Sequence, residues 1–259
     1  MSVPVPSCGV VILAAGLGKR MKSDMAKVLH EIDGRAMVAY VAEAALHVAG
    51  QEVVVVVGYQ ADQVRSAVST SVERPVRFAL QKEQLGTGHA VSCAMPFLGE
   101  KVDQVVILYG DVPLLTARTI RRLAEDHSAA QRELTVLGVQ MKDPTGYGRI
   151  LTDGDGGLKG IVEEADASPE QKRIDQINTG IYCVSRAFLA ETLPLLSADN
   201  AQGEYYLTDI VKLGYRQGRR MGMVLLPDAD EVIGVNSLEE LNRARQIMTV
   251  RSRLMGSSG

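Results

Sequence analysis

The 259-residue chain has no tryptophan, three phenylalanines and an aromatic fraction of 4%, so any core it builds must be largely aliphatic. Its three cysteines, Cys8, Cys93 and Cys183, are odd in number and far apart, with no CxxC pair. That excludes a disulfide framework and a cysteine zinc site and suits reduced thiols in the cytoplasm. The four histidines, His30, His47, His89 and His127, make no HExxH or HxxxH pair. Positive charge is not in excess: 28 Lys and Arg stand against 31 Asp and Glu, a net charge of −3. A general nucleic-acid binder should be basic, although a local basic pocket stays open. No apolar run approaches the roughly 20 residues of a membrane span. The start, MSVPVPSCG, has neither the basic flank nor the apolar stretch of a signal peptide.

What is present reads as globular. The chain is 46% hydrophobic and 23% charged, ordinary values for a folded domain, and long enough to bury most of its unfolded surface. Val10–Ala15, Val53–Val57 and Val105–Tyr109 are apolar, β-branched runs bounded by glycine or polar residues, the pattern of buried parallel strands. Helical spacing is read over Met37–Ala49, Asp62–Val68, Gly88–Met95 and Thr116–His127, the last capped by Thr116. This alternation implies an α/β sheet with helices on both faces. The second half predicts strands at Leu134–Met141, Arg149–Thr152, Leu158–Glu163, Ile177–Val184 and Met221–Leu226. Asp153–Gly157 (DGDGG) marks a hairpin. Helices are expected over Tyr206–Gln217 and Ser237–Arg253, where Ser237 and Glu240 form a capping box. Met21, Met25 and Met37 read as packing residues, Glu239, Glu240, Arg243 and Arg245 as a solvated helix face, and His89 as structural.

The first strand runs into Leu13-Ala14-Ala15-Gly16-Leu17-Gly18-Lys19-Arg20-Met21. Small residues there let backbone N–H groups approach a phosphate. The loop is not a P-loop, because Arg20 follows Gly18-Lys19 where Ser or Thr is needed and Leu13 stands in place of the first glycine. It is not the dinucleotide fingerprint either, because Met21 replaces the third glycine or alanine. A small-residue turn with Lys19, Arg20 and Lys27 suits a triphosphate cleaved at its α-phosphate; a tight turn with surface cations is the plain alternative. Asp111 follows a strand at the carboxyl edge, where α/β sheets bind ligands, and Gln81 ends a strand at Val76–Leu80.

LAAGLGKRM with Lys27, taken with QKEQLGTGH (81–89), LYGDVPL (108–114), DPTGYGRI (143–150), GIVE (160–163), INTG (177–180), NAQGEYY (200–206) and GVN (234–236), resembles sugar-1-phosphate nucleotidyltransferases. The set is most similar to the N-terminal uridyltransferase halves of the bacterial bifunctional N-acetylglucosamine-1-phosphate enzymes. The likeness covers nearly the whole chain. It implies a Rossmann-like nucleotidyltransferase fold: a mixed, mostly parallel sheet flanked by helices, with a small β extension and a C-terminal helix. It divides the chain into a catalytic domain over 1–236 and a helix and tail over 237–259, the start of a linking arm. The family's second half is built of hexapeptide repeats, and none follows the last predicted helix. Acetyl-CoA chemistry and trimer contacts are therefore not expected, and a monomer or weak oligomer is.

The resemblance also implies roles. Arg20 and Lys27 are the catalytic cations. Leu13, Ala14, Ala15, Gly16, Gln81, Gly86 and Thr87 bind UTP. Tyr109, Gly110, Gly148, Glu163 and Asn178 hold the amino-sugar phosphate, and Asp111 and Asn236 hold Mg²⁺. A phosphate nucleophile is largely ionised near pH 7, its second pKa being about 6, so no general base is required and catalysis reduces to positioning and charge stabilisation. Two rivals remain: the same chemistry on another sugar or base, and a non-catalytic nucleotide-sugar binding module. A dinucleotide-dependent dehydrogenase is disfavoured by the failed fingerprint.

Overall fold

The structure, a computed structural model, describes residues 7–256 apart from Lys19, Arg20, Lys22 and Ile233. Four strands form one half of the sheet: β1 (Cys8–Ala14), β4 (Val53–Val57), β5 (Arg77–Leu80) and β6 (Gln104–Tyr109), all parallel. A two-residue pair, β2 (Glu31–Ile32) and β3 (Arg35–Ala36), forms a separate small sheet. The second half adds β7 (Leu134–Gln140), β10 (Gln176–Ser185) and β11 (Met221–Leu226), giving the order β11-β7-β10-β6-β1-β4-β5. β10 alone on that path runs against its neighbours. A hairpin, β8 (Gly148–Thr152) and β9 (Leu158–Val162), hangs from the start of β10. The sheet is thus mixed and mostly parallel, with the expected β extension.

Period-2 alternation sends successive strand residues to opposite faces. Val10, Ile12 and Ala14 of β1 join Val53, Val55 and Val57 in one core, and Val11 and Leu13 join Val54 and Val56 in the other. Both faces of these strands are covered, which is why their sequences read as unbroken apolar runs. Helices α1 (Met37–Ala49), α2 (Ala61–Ser71) and α4 (Ala117–Ala129) cover the first face. The other face is covered by α3 (Thr87–Ala94), α5 (Arg186–Thr192) and α6 (Asp209–Arg216). α7 (Leu238–Gly256) seats Leu241 and Ala244 on a third apolar cluster with Met21, Ile32, Met37, Leu114 and Val235. Burying each of the larger of these side chains contributes about 1.5–3 kcal/mol.

The structure corrects several expectations. α6 starts at Asp209 rather than Tyr206, because the preceding backbone crosses to α3: Gly88 N donates to Tyr205 O at 2.8 Å and Leu207 N to Thr87 Oγ1 at 3.0 Å. Met25 is 45% exposed and does not pack in the core. Glu239, Arg243 and Arg245 lie on an exposed helix face, as expected, but Glu240 turns inward toward Asn236. Arg243 pairs with Asp230, and Arg245 donates to Glu31 O.

Candidate active site

Parallel strands leave their carboxyl ends along one edge, where the site forms. Leu13 and Ala14 end β1 and are buried; Ala15 is buried and its carbonyl accepts from Tyr59 N at 3.1 Å. Gly16 is exposed, and a Cβ built there meets nothing within 4 Å, so the space beside it is open to a ligand. The backbone around Ala15 and Gly16, not the Leu13 or Ala14 side chains, is what this stretch can offer. Arg20 lies outside the described residues.

Lys27 opens a single 3₁₀ turn, Lys27–Leu29. The loop before it is anchored to the β4–α2 connection: Gln60 Oε1 accepts from Ala26 N at 2.8 Å, and Tyr59 and Gln60 both donate to Asp24 O. The Lys27 ammonium consequently meets the Asp111 carboxylate and donates to Asn236 Oδ1 at 2.9 Å. Asp111 follows β6, and its side chain is 8% exposed. Asn236 arrives from more than a hundred residues away because Val235 N donates to Asp111 O at 2.8 Å. The Asn236 amide nitrogen donates to Gly234 O, which turns Oδ1 toward Lys27. Glu240 on α7 accepts from Asn236 N at 2.6 Å and from Ser237 Oγ at 3.2 Å. The capping box therefore exists, but its carboxylate reaches the Asn236 backbone, and Glu240 becomes a support for the site that sequence reasoning missed.

A cleft runs from this cluster to the second half of the sheet, lined by Tyr109, Asp111, Gly148, Glu163, Asn178 and Asn236. Gly148 pairs with Asn178 in register, and a Cβ on Gly148 would stand 3.3 Å from the Glu163 carboxylate. Asn178 sits at a register shift in β10. Its Oδ1 accepts from Gly180 N at 3.0 Å and its amide nitrogen donates to Tyr182 Oη at 2.7 Å, leaving one N–H for a ligand. Gly180 has φ +79, and a Cβ there would lie 2.5 Å from the Tyr109 ring. The bulge can form beside that ring only with glycine. Burial raises the Tyr109 hydroxyl well above its ordinary pKa, helped by Glu163 and Asp111. Glu163 is itself raised, first by burial and then by Asp166 and Asp209, against a hydrogen bond from Thr208. Gly110 is buried, its N–H donating to Leu13 O at 2.9 Å; it joins β6 to β1 rather than facing the cleft.

The remaining candidates lie across the β1–β4–β5 edge. Gln81 is 3% exposed and directly follows β5. Its amide nitrogen donates to Gly86 O at 3.0 Å and contacts His89 Nδ1 at 3.1 Å. Gly86 caps α3 with φ +110. The Thr87 hydroxyl accepts from Leu207 N and bonds Tyr109, so it joins the two halves of the site. Among the described residues no cluster of three His, Cys, Asp or Glu could hold a metal. The oxygens of Asp111 and Asn236 share one cation position, filled by the Lys27 ammonium.

The family of MobA-like NTP transferase domains matches residues 10–200. The bifunctional protein GlmU of Trichlorobacter lovleyi is 45% identical over 244 residues, 94% of this chain and 53% of that protein. GlmU of Syntrophotalea carbinolica is 49% identical over 241 residues, 93% of this chain and 51% of that protein. The chain thus spans about half the length of these curated relatives. The solved structure of HddC from Yersinia pseudotuberculosis complexed with GMP-PN superimposes with a TM-score of 0.68 at 22% identity, covering 93% of this chain and 99% of that one. That likeness is one of fold.

Proposed function

The chain belongs to the MobA-like NTP transferase domain family, and from that premise we propose that it makes UDP-N-acetylglucosamine and pyrophosphate from UTP and N-acetylglucosamine-1-phosphate. The GlmU relatives support this reading at 45% and 49% identity. One observation carries it within the molecule: Lys27, Asp111 and Asn236 meet at one point, at the mouth of a cleft whose far wall holds Glu163 and Asn178. A pure binding module has little need of that cluster.

A carboxylate and an amide oxygen facing one cation are hard donors of the kind Mg²⁺ takes alongside substrate phosphates and water. Asp111 and Asn236 would hold the Mg²⁺, whose charge offsets that of the triphosphate oxygens. The ionised phosphate of the sugar attacks the α-phosphorus, and pyrophosphate leaves with the bonding pair. Lys27 stabilises charge at the α-phosphate, and Arg20 holds the leaving β- and γ-phosphates. The backbone at Ala15 and Gly16 approaches the phosphates. Gln81, Gly86 and Thr87 meet the uracil. Glu163 and Asn178 pair with sugar hydroxyls and the N-acetyl amide, and a site built for such bonds rejects sugars that lack them. The substrates are small molecules, the enzyme cytoplasmic, and α7 the start of a connecting arm. No described helix is long and apolar enough to cross a membrane.

The test is pyrophosphate release with UTP, N-acetylglucosamine-1-phosphate and Mg²⁺, beside glucose-1-phosphate and CTP. Mg²⁺-dependent release preferring UTP and the acetylated amino sugar is expected. Release that prefers another sugar or base would move the reading to that substrate. No release from any pair, with UTP still bound, would leave a binding module.

A further inference from the structure

His89 lies on α3, outside the substrate contacts proposed above, yet it is bonded to the residue assigned to the base. Gly86 O, 3.0 Å from the terminal amide of Gln81, is a carbonyl and can only accept. The amide atom facing it must therefore be the NH₂. The same NH₂ faces His89 Nδ1 at 3.1 Å. That ring nitrogen must accept, which places the imidazole proton on Nε2, the atom 3.8 Å from Cys93 Sγ. The tautomer follows from the network.

We infer that His89 is a positioning residue for base specificity: by accepting from Gln81 it locks the amide with its oxygen presented to the base, selecting uracil over cytosine. This rests on the reading that the base sits at Gln81. Uracil offers an N3–H donor where cytosine offers a lone pair. A fixed carbonyl oxygen accepts from the first and repels the second, whereas an amide free to rotate can satisfy either. Two acceptors hold the amide, Gly86 O and His89 Nδ1. With the histidine gone only one remains. Cys93 completes the chain as a weak sulfur acceptor for Nε2–H.

The experiment measures kcat/KM with UTP and with CTP for the wild type, His89→Leu, His89→Asn and Gln81→Ala. Losing one hydrogen bond of about 1.4 kcal/mol should lower the UTP-over-CTP ratio about tenfold in His89→Leu. The larger part should fall on KM for UTP. His89→Asn, whose side-chain oxygen can accept in the Nδ1 position, should recover most of the ratio. A ratio that collapses in Gln81→Ala but not in His89→Leu overturns the inference while leaving the base at Gln81. An unchanged ratio in both removes the base from Gln81 and the inference with it. Should His89→Leu fail to fold, ¹⁵N imidazole spectra of the wild type still decide. A proton on Nε2 supports the lock, and a proton on Nδ1 refutes it.

Discussion

Replacing Lys27 with alanine removes a cation from between two oxygens, and the structure sets the size of the effect. The Asp111 side chain is 8% exposed and that of Lys27 20%, so water screens the pair only weakly. Hydrogen bonds to charged groups contribute about 1.5–3 kcal/mol. A loss of about 2 kcal/mol is expected for Lys27→Ala in EDTA. At the ~2–4 °C per kcal/mol usual for a chain of this size, Tm should fall by about 4–8 °C. Millimolar Mg²⁺ should shrink that deficit, because a divalent cation held by Asp111 and Asn236 replaces the charge the variant has lost. Turnover should not follow suit: kcat should drop about 10²–10³-fold, as when one preorganised donor is removed. Melting curves in EDTA and in Mg²⁺, with pyrophosphate release on the same samples, separate the two roles. A Tm deficit equally large in Mg²⁺ and in EDTA would refute the shared cation position. An unchanged kcat would remove Lys27 from the chemistry.

The raised pKa of Glu163 gives a test in pH. A carboxyl whose folded value lies above its unfolded one contributes stability present below the ordinary glutamate range and lost as pH rises through the folded value. Glu163→Gln should therefore gain Tm relative to wild type as pH climbs from that range toward neutral, while KM for the sugar phosphate rises; a Tm difference constant from pH 4 to 8 would contradict the assignment. Gly86→Ala places a Cβ 2.7 Å from both Tyr205 N and Tyr205 O at φ +110. It should cost about 1–3 kcal/mol of strain and weaken UTP binding, measured by melting and calorimetry. Arg149, 1% exposed, pairs with Glu164 at 2.7 Å and donates to the carbonyls of Tyr147 and Lys172. Arg149→Met leaves the Tyr147 and Lys172 carbonyls without their donor beside Gly148, while Glu164 keeps Lys172, and should cost about 1–3 kcal/mol, read by denaturant titration.

Much of the parallel half was legible because both faces of its central strands, β1, β4 and β6, are buried. Val53–Val57 and Met37–Ala49 match the structure residue for residue. The elements that escaped are those too short to show a period. α5 has only seven residues and owes its start to Ser185 Oγ accepting from Phe188 N at 3.1 Å; the pair of β2 and β3 is two residues long on each side. Nothing in the apolar pattern of Ile177–Val184 tells that β10 runs antiparallel, since a buried strand reads the same in both directions. The cluster of Lys27, Asp111 and Asn236 spans over two hundred residues and has no spacing signature. Lys27 and Asp111 stand out from the cationic loop and the strand end, but Asn236 and the metal role came only through resemblance.

The direction of β10 is what makes the site two-sided. A parallel strand beside β6 would bring its carboxyl end to the same edge and send the following chain away. Running in reverse, β10 brings its beginning to that edge, so Asn178 arrives there with the β8–β9 hairpin still attached. The hairpin supplies Gly148 at its start, and Glu163 follows its end. One reversed strand therefore places Asn178, Gly148 and Glu163 opposite Tyr109 and Asp111, which β6 delivers from the parallel half. The bulge at Gly180 then fits β10 around the Tyr109 ring. On the proposed reading, phosphates and base fall to the parallel half, with its open glycine turn and helix start. On the same reading the sugar falls to the start of the reversed strand and the β8–β9 hairpin, apart from the 3₁₀ turn that carries Lys27 and the end of β6 that precedes Asp111. Sugar preference should then be the property most easily altered in this fold, and the chemistry at the α-phosphate the least.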